Sequence, residues 1–126
     1  MGFFGILGNI GLSYDTFEKW IDDSLSTELS EEIVAFCFNL YEDGENEWSV
    51  EIVGTNSFDK NDPDWACSEI FDNRDNLLGW ECEDTYEDVL STIKSFLKRY
   101  MKHLYIYYLK GYILQSYQYV GRPYNE

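Results

Sequence analysis

Histidine occurs once, proline twice and cysteine three times in 126 residues, and positive charge is scarce: nine Lys and Arg face 24 Asp and Glu. Each shortage excludes something. A lone His103 leaves no Ser-His-Asp or Cys-His arrangement with an activating neighbour in sequence, and it reads as an exposed or helix-capping side chain. Cys37, Cys67 and Cys82 form no CxxC pair and are odd in number, which suits neither a secreted disulfide framework nor a zinc site. With only Pro63 and Pro123, no rigid linker divides the chain. There is no repeat, no Walker loop and no GxGxxG. Gly2, Gly5, Gly8 and Gly11 recur every third residue, but no strand precedes them. The apolar start is too short to span a bilayer and lacks a basic n-region and a cleavage site, so the expected location is cytoplasmic.

Core-forming residues are plentiful. The chain is 44% hydrophobic and 18% aromatic, too rich for disorder and long enough to bury a core without metal or disulfide staples. One domain over residues 1–126 is expected, with a Tyr-rich C-terminal segment, 105–126, that could continue a helix or turn back as a strand.

Charge is unevenly spread. The net charge is −15, and 23 of the 24 acids lie before residue 93, opposed there only by Lys19, Lys60 and Arg74. Residues 93–126 hold Lys94, Lys98, Arg99, Lys102, Lys110 and Arg122 against Glu126 alone. So acidic a surface repels phosphate and argues against direct nucleic-acid binding. It suits a basic protein partner, or it serves solubility alone.

Hydrophobic periodicity outlines the elements. Phe17, Trp20, Ile21 and Leu25 recur at helical spacing and predict a helix over about 14–26, capped by Ser13 or Asp15. From Glu32 the period becomes two: Val34, Phe36, Phe38 and Leu40 face one way, and Ala35, Cys37 and Asn39 the other. Residues 42–46 read as a hairpin turn, with Asp43-Gly44 supplying positive φ. A second strand turns Trp48, Val50 and Ile52 inward and Ser49 and Glu51 outward. Trp65 to Phe71 is expected as a third strand and Leu77 to Trp80 as a short fourth. Asp84 and Glu87 then read as a capping box for a long helix striped by Val89, Ile93, Phe96, Leu97, Tyr100 and Leu104. Its bases are expected near its end, where they suit the helix dipole. The order implies an α+β two-layer sandwich: an antiparallel sheet of three to four strands packed against an N-terminal helix and a long C-terminal helix.

Catalytic chemistry is hard to find. The loop from Asp59 starts like a calcium loop, but Pro63, Asp64 and Ile70 occupy positions where an EF-hand needs other residues. No cofactor, metal site or catalytic residue is expected. Glu69 is the one acid to inspect. Were residues 65–71 a regular strand, Glu69 would share a face with Trp65, Cys67 and Phe71 and could be a buried acid of a hydrolase; a bulge or sheet edge would instead let it reach solvent. Candidate partner contacts lie on loops: Asp43 and Glu45 in the hairpin, Asp59, Asp62 and Asp64 in the next loop, and Asp72, Asp75, Glu81 and Glu83 around Trp80. Trp80 could anchor a basic partner or fill the core.

The stretch Asp64-Trp65-Ala66-Cys67-Ser68-Glu69-Ile70-Phe71, followed by the acid-rich helix start at Asp84, resembles small immunity proteins of bacterial polymorphic toxin systems of the contact-dependent inhibition type. The resemblance spans roughly residues 30–104. It implies a cytoplasmic, non-enzymatic antidote that binds and blocks a cognate toxin domain, often a nuclease. The physics is compatible, since an acidic inhibitor can fill the cationic cleft of a nuclease. The alternative is an adaptor or structural subunit that self-associates through the Tyr-rich segment 105–126; oligomeric state is left open.

Overall fold

The computed structural model describes residues 11–59 and 61–107. Helix α1 (Tyr14–Ser24) is followed by strand β1 (Ala35–Gly44), strand β2 (Glu47–Thr55) and a 3-10 helix (Pro63–Cys67). Strand β3 (Glu69–Asp72), strand β4 (Leu78–Glu81) and helix α2 (Tyr86–Tyr107) complete the order. The expected α+β architecture is present: two helices and a four-strand antiparallel sheet.

The sheet is built around β2. Strand β1 pairs along one side of it, from Ala35 opposite Thr55 to Gly44 opposite Glu47. The other side is shared. β3 pairs with the far half (Val53 opposite Asp72, Gly54 opposite Phe71), and β4 with the near half (Val50 opposite Leu78, Glu47 opposite Glu81). β3 and β4 are thus one row broken by residues 73–77.

Asn73 mends the break. Its backbone N–H donates to the Ile52 carbonyl at 3.1 Å, and its side-chain Oδ1 accepts from the Ile52 N–H at 2.7 Å. Its Nδ2 donates to Ser24 Oγ on α1 at 3.0 Å. Three residues on, Asn76 offers its carbonyl to Trp20 Nε1 at 2.7 Å. The interruption therefore ties the sheet to α1 while leaving no buried backbone group of Ile52 orphaned.

One face of the sheet carries Phe36, Phe38, Leu40, Trp48, Val50, Ile52 and Leu78, all buried against Phe17, Trp20 and Ile21 of α1 and Val89, Ile93 and Leu97 of α2. Period two on the strands and 3.6 on the helices create this core. Ser13 caps α1, its Oγ accepting from the Thr16 N–H at 3.1 Å. The two helices also meet directly: Phe96 lies 5.4 Å from Phe17 and 5.7 Å from Tyr14, ring centre to ring centre. Tyr100 donates to Asp22 at 2.7 Å.

Several local expectations are corrected. Residues 63–67 are a 3-10 helix and not the start of a strand, because Asp62 accepts from the Asp64 N–H at 3.0 Å and Pro63 presets a helical φ. Trp65 then leaves the strand and covers the opposite face, joining Ala35, Cys37 and Val53 in a small second cluster flanked by Phe58. The positive φ of the hairpin falls on Asn46, at 63°, and not on Gly44. At α2 the side chain that meets the first turn is that of Thr85, whose Oγ1 accepts from the Asp88 N–H at 3.1 Å; Asp84 and Glu87 do not form the expected box. α2 runs on to Tyr107, so no base falls in its last turn. The rest of segment 105–126 lies outside the described residues.

Asn73→Ala removes the acceptor for a buried N–H and the donor to Ser24, and should lower unfolding free energy by about 2–3 kcal/mol. Asn76→Ala, at an exposed position where the side chain makes one long bond, to Ser24 Oγ at 3.4 Å, and the backbone carbonyl makes the short one, should cost under about 1 kcal/mol. Urea unfolding of the two variants checks the contrast.

Candidate partner-binding surface

The hairpin end of the sheet gathers five of the chain's 24 acids. The turn at Glu45 and Asn46 is locked to the end of β4, because the Cys82 N–H donates to the Asn46 carbonyl at 2.9 Å. Trp48 Nε1 donates to the Cys82 carbonyl at 3.1 Å. Gly11, at φ +76°, passes so close that an added Cβ would lie 2.8 Å from the Glu81 carbonyl oxygen. These contacts bring Asp43, Glu45, Glu47, Glu81 and Glu83 to one end of the molecule, and all five are exposed.

Glu47 and Glu81 are direct cross-strand partners and face away from the helices. Like charges directly opposite each other destabilise a sheet by a few tenths to about 1 kcal/mol. No described cation relieves them: among the described residues the ion pairs are those of Arg74 with Glu51, Glu69 and Asp72.

The other sequence-chosen residues lie elsewhere. Asp59, Asp62 and Asp64 belong to the loop and 3-10 helix beyond the opposite end of β2, a strand of nine residues that spans roughly 27 Å. Two of these acids shape their own loop, Asp59 accepting from the Asn61 N–H at 2.9 Å and Asp62 from that of Asp64. Asp72 is taken up by Arg74, at 3.2 Å. Asp75 is exposed in the turn between β3 and β4. Trp80 is half-buried on the helix side of the sheet, opposite Trp48, whereas its neighbour Glu81 points the other way. The ten candidates therefore form no single patch. Asp43, Glu45, Glu81 and Glu83 stay together, and Glu47 joins them.

Midway along the outer face lies a group that alternation alone did not reveal. Arg74 meets both oxygens of Glu69 at 3.0 Å and holds Asp72 by Nη1, while its Nε lies 3.1 Å from Glu51 Oε2. Glu51, read from sequence as facing outward, is only 3% exposed. Tyr41 donates to its Oε1 at 2.7 Å, whereas Oε2 receives no well-directed hydrogen bond and depends on the adjacent guanidinium for compensation. Burial and the bond to Glu51 hold the Tyr41 hydroxyl above its usual range. The carboxylate of Glu69, foremost among three, holds Arg74 even more firmly protonated than usual. Burial also pushes the Cys37 thiol up.

Glu69 is exposed and clasped by Arg74, so it lacks the burial that a hydrolase centred on it would require. Among the described residues no group of three or more His, Cys, Asp and Glu is arranged to hold a metal ion. None of the described helices is long and apolar enough to cross a membrane.

Arg74→Ala strands a buried carboxylate and should cost about 2–3 kcal/mol, near the low end for a broken buried pair because Arg74 is itself half-exposed. Adding Glu51→Gln to that variant removes the stranded charge and should recover part of the loss. Chemical denaturation of the single and double variants measures both.

Set against family models, curated proteins and solved structures, the chain matches none of them.

Proposed function

We propose that this protein acts by binding a basic protein through its hairpin end, as an immunity protein that neutralises a cognate toxin domain. The observation that carries the reading is the Glu47–Glu81 pair: two carboxylates directly opposed across strands, extended by Asp43, Glu45 and Glu83, with no described base paired to any of them. A sheet built for stability alone would alternate the signs. Retained repulsion is relieved when a cationic surface arrives, so part of the binding energy comes from a strain already present in the free protein.

The scaffold suits such a task. The turn is fixed to β4 through Asn46 and Cys82, which presents the carboxylates on rigid elements and limits the ordering cost of association. Electrostatic steering adds speed, raising association rates by roughly 10- to 1000-fold. The likeness of residues 64–71 to toxin-immunity proteins supports the choice of a toxin as partner. Stoichiometric binding without catalysis fits an exposed, arginine-clasped Glu69.

Coexpression with the product of the neighbouring reading frame should yield a stable complex and protect the host cell. Glu45→Lys with Glu81→Lys should slow association by about tenfold or more, and the wild-type rate should fall steeply as salt rises from about 0.01 M to 0.1 M, where the Debye length shrinks from about 30 Å to 10 Å. Surface plasmon resonance reads both. A salt-independent rate, unchanged by the double reversal, sinks the assignment of the hairpin end.

A further inference from the structure

The exposed face of α2 bears a second charged surface, opposite in sign to the first. Ser91, Lys94, Ser95, Lys98, Arg99 and Lys102 recur at three- and four-residue spacing and form one continuous stripe, all exposed. An open recess of about 520 Å³ runs along it, lined by these six side chains. Lys94, Lys98 and Lys102 stand one above another, about 6 Å apart along the axis. Arg99 is held in place, its guanidinium carbon 4.0 Å from the centre of the Tyr14 ring.

This arrangement works against helix stability. Like charges at i and i+4 destabilise a helix by a few tenths of a kcal/mol each, and the lysines make that spacing twice. The helix dipole gives no offset, because it favours bases in the last turn and α2 extends past them to Tyr107. Nor does pairing: in a chain with 24 acids, no described ion pair reaches this stripe.

We infer that this face of α2 binds a small, multiply charged anion bearing phosphate groups, with the lysines compensating its charge and Ser91 and Ser95 donating hydroxyl hydrogen bonds. The chemistry selects among occupants. An acidic protein, docking through about 20–30 residues, would reach past the stripe onto a molecule of net charge −15 and be repelled there. A bilayer needs an apolar helix face to insert, but the apolar face of α2, with Val89, Ile93 and Leu97, is buried in the core. A nucleic acid would extend beyond the stripe over a molecule of net charge −15 and be repelled there. A small anion stays within the stripe.

The test is an amide-shift titration of the full chain with inorganic pyrophosphate at constant ionic strength. Saturable shifts confined to residues 91–102, half-complete in the millimolar range or below, are expected. Lys98→Glu should weaken the affinity roughly tenfold or more, while raising the thermal midpoint because it turns two repulsive spacings into attractive ones. Lys94→Gln with Lys98→Gln, a change that keeps helix propensity, should weaken binding with α2 intact by circular dichroism. Shifts that never saturate, or that appear equally at Lys19 and Arg74, overturn the site. So does binding unchanged in both variants. A single-stranded oligonucleotide that binds more tightly per phosphate, or phosphoinositide vesicles that bind where pyrophosphate does not, reassigns the stripe to a macromolecule or a membrane and overturns the small-anion proposal. The hairpin end takes no part in this titration, so either reading can fail alone.

Discussion

Everything in this sheet depends on how the central strand satisfies its second side. β2 has an unbroken partner in β1, but its other neighbour is two short strands with a five-residue interruption opposite Glu51 and Ile52. An open gap there would leave backbone groups buried and unpaired. Asn73 closes it by letting a side-chain amide imitate a ladder, and it joins the same point to α1 through Ser24. The helix on one face, the arginine cluster on the other and the register of β4 at the hairpin end all follow from that repair. Were β4 one residue out of register, Glu81 would face the helices, and the opposed carboxylates would not exist.

The two faces of the sheet are compensated differently. The helix side is an ordinary apolar core, with both helices contributing stripes at their natural period. The outer side is split. Trp65 and Phe58 cover Ala35, Cys37 and Val53 at one end, and Arg74 gathers three carboxylates toward the middle. Asp43, Glu45, Glu47, Glu81 and Glu83 are left without a described cation. Along β2 every residue from Thr55 to Trp48 is buried and only Glu47, beside the turn, is exposed, which is why the proposed binding surface is placed at the turn and not spread over every acidic loop.

Much of this was legible wherever a period was clean. Phe36, Phe38 and Leu40 against Trp48, Val50 and Ile52 gave the hairpin its inner face, and Phe17, Trp20 and Ile21 gave α1 its buried stripe. Legibility failed where a local capping interaction outweighed the alternation, as when Asp62 and Pro63 started a helical turn before Trp65. It failed again at Glu51: alternation reports which face a residue is on, but not whether Arg74, 23 positions later, will cover it. Among the acidic candidates, sequence could not separate the hairpin and β4 members from Asp59, Asp62 and Asp64, because only the fold sets the two groups at opposite ends. The neglected neighbour, Glu47, carried a signal in being an acid at the first position of a strand, whose other outer members, Ser49, Glu51, Val53 and Thr55, are all buried.

The small cluster under the 3-10 helix gives the molecule an internal clock. Its cover, Pro63–Cys67, is one short helical turn joined to the sheet by few backbone bonds, the kind of element that opens without global unfolding. Cys67 sits on the outside of that cover and Cys37 beneath it, one exposed and one buried. A thiol reagent therefore meets Cys67 in the closed protein but reaches Cys37 only when Trp65 lifts away. The ratio of the two labelling rates reports how often this side of the sheet breathes while the main core stays shut.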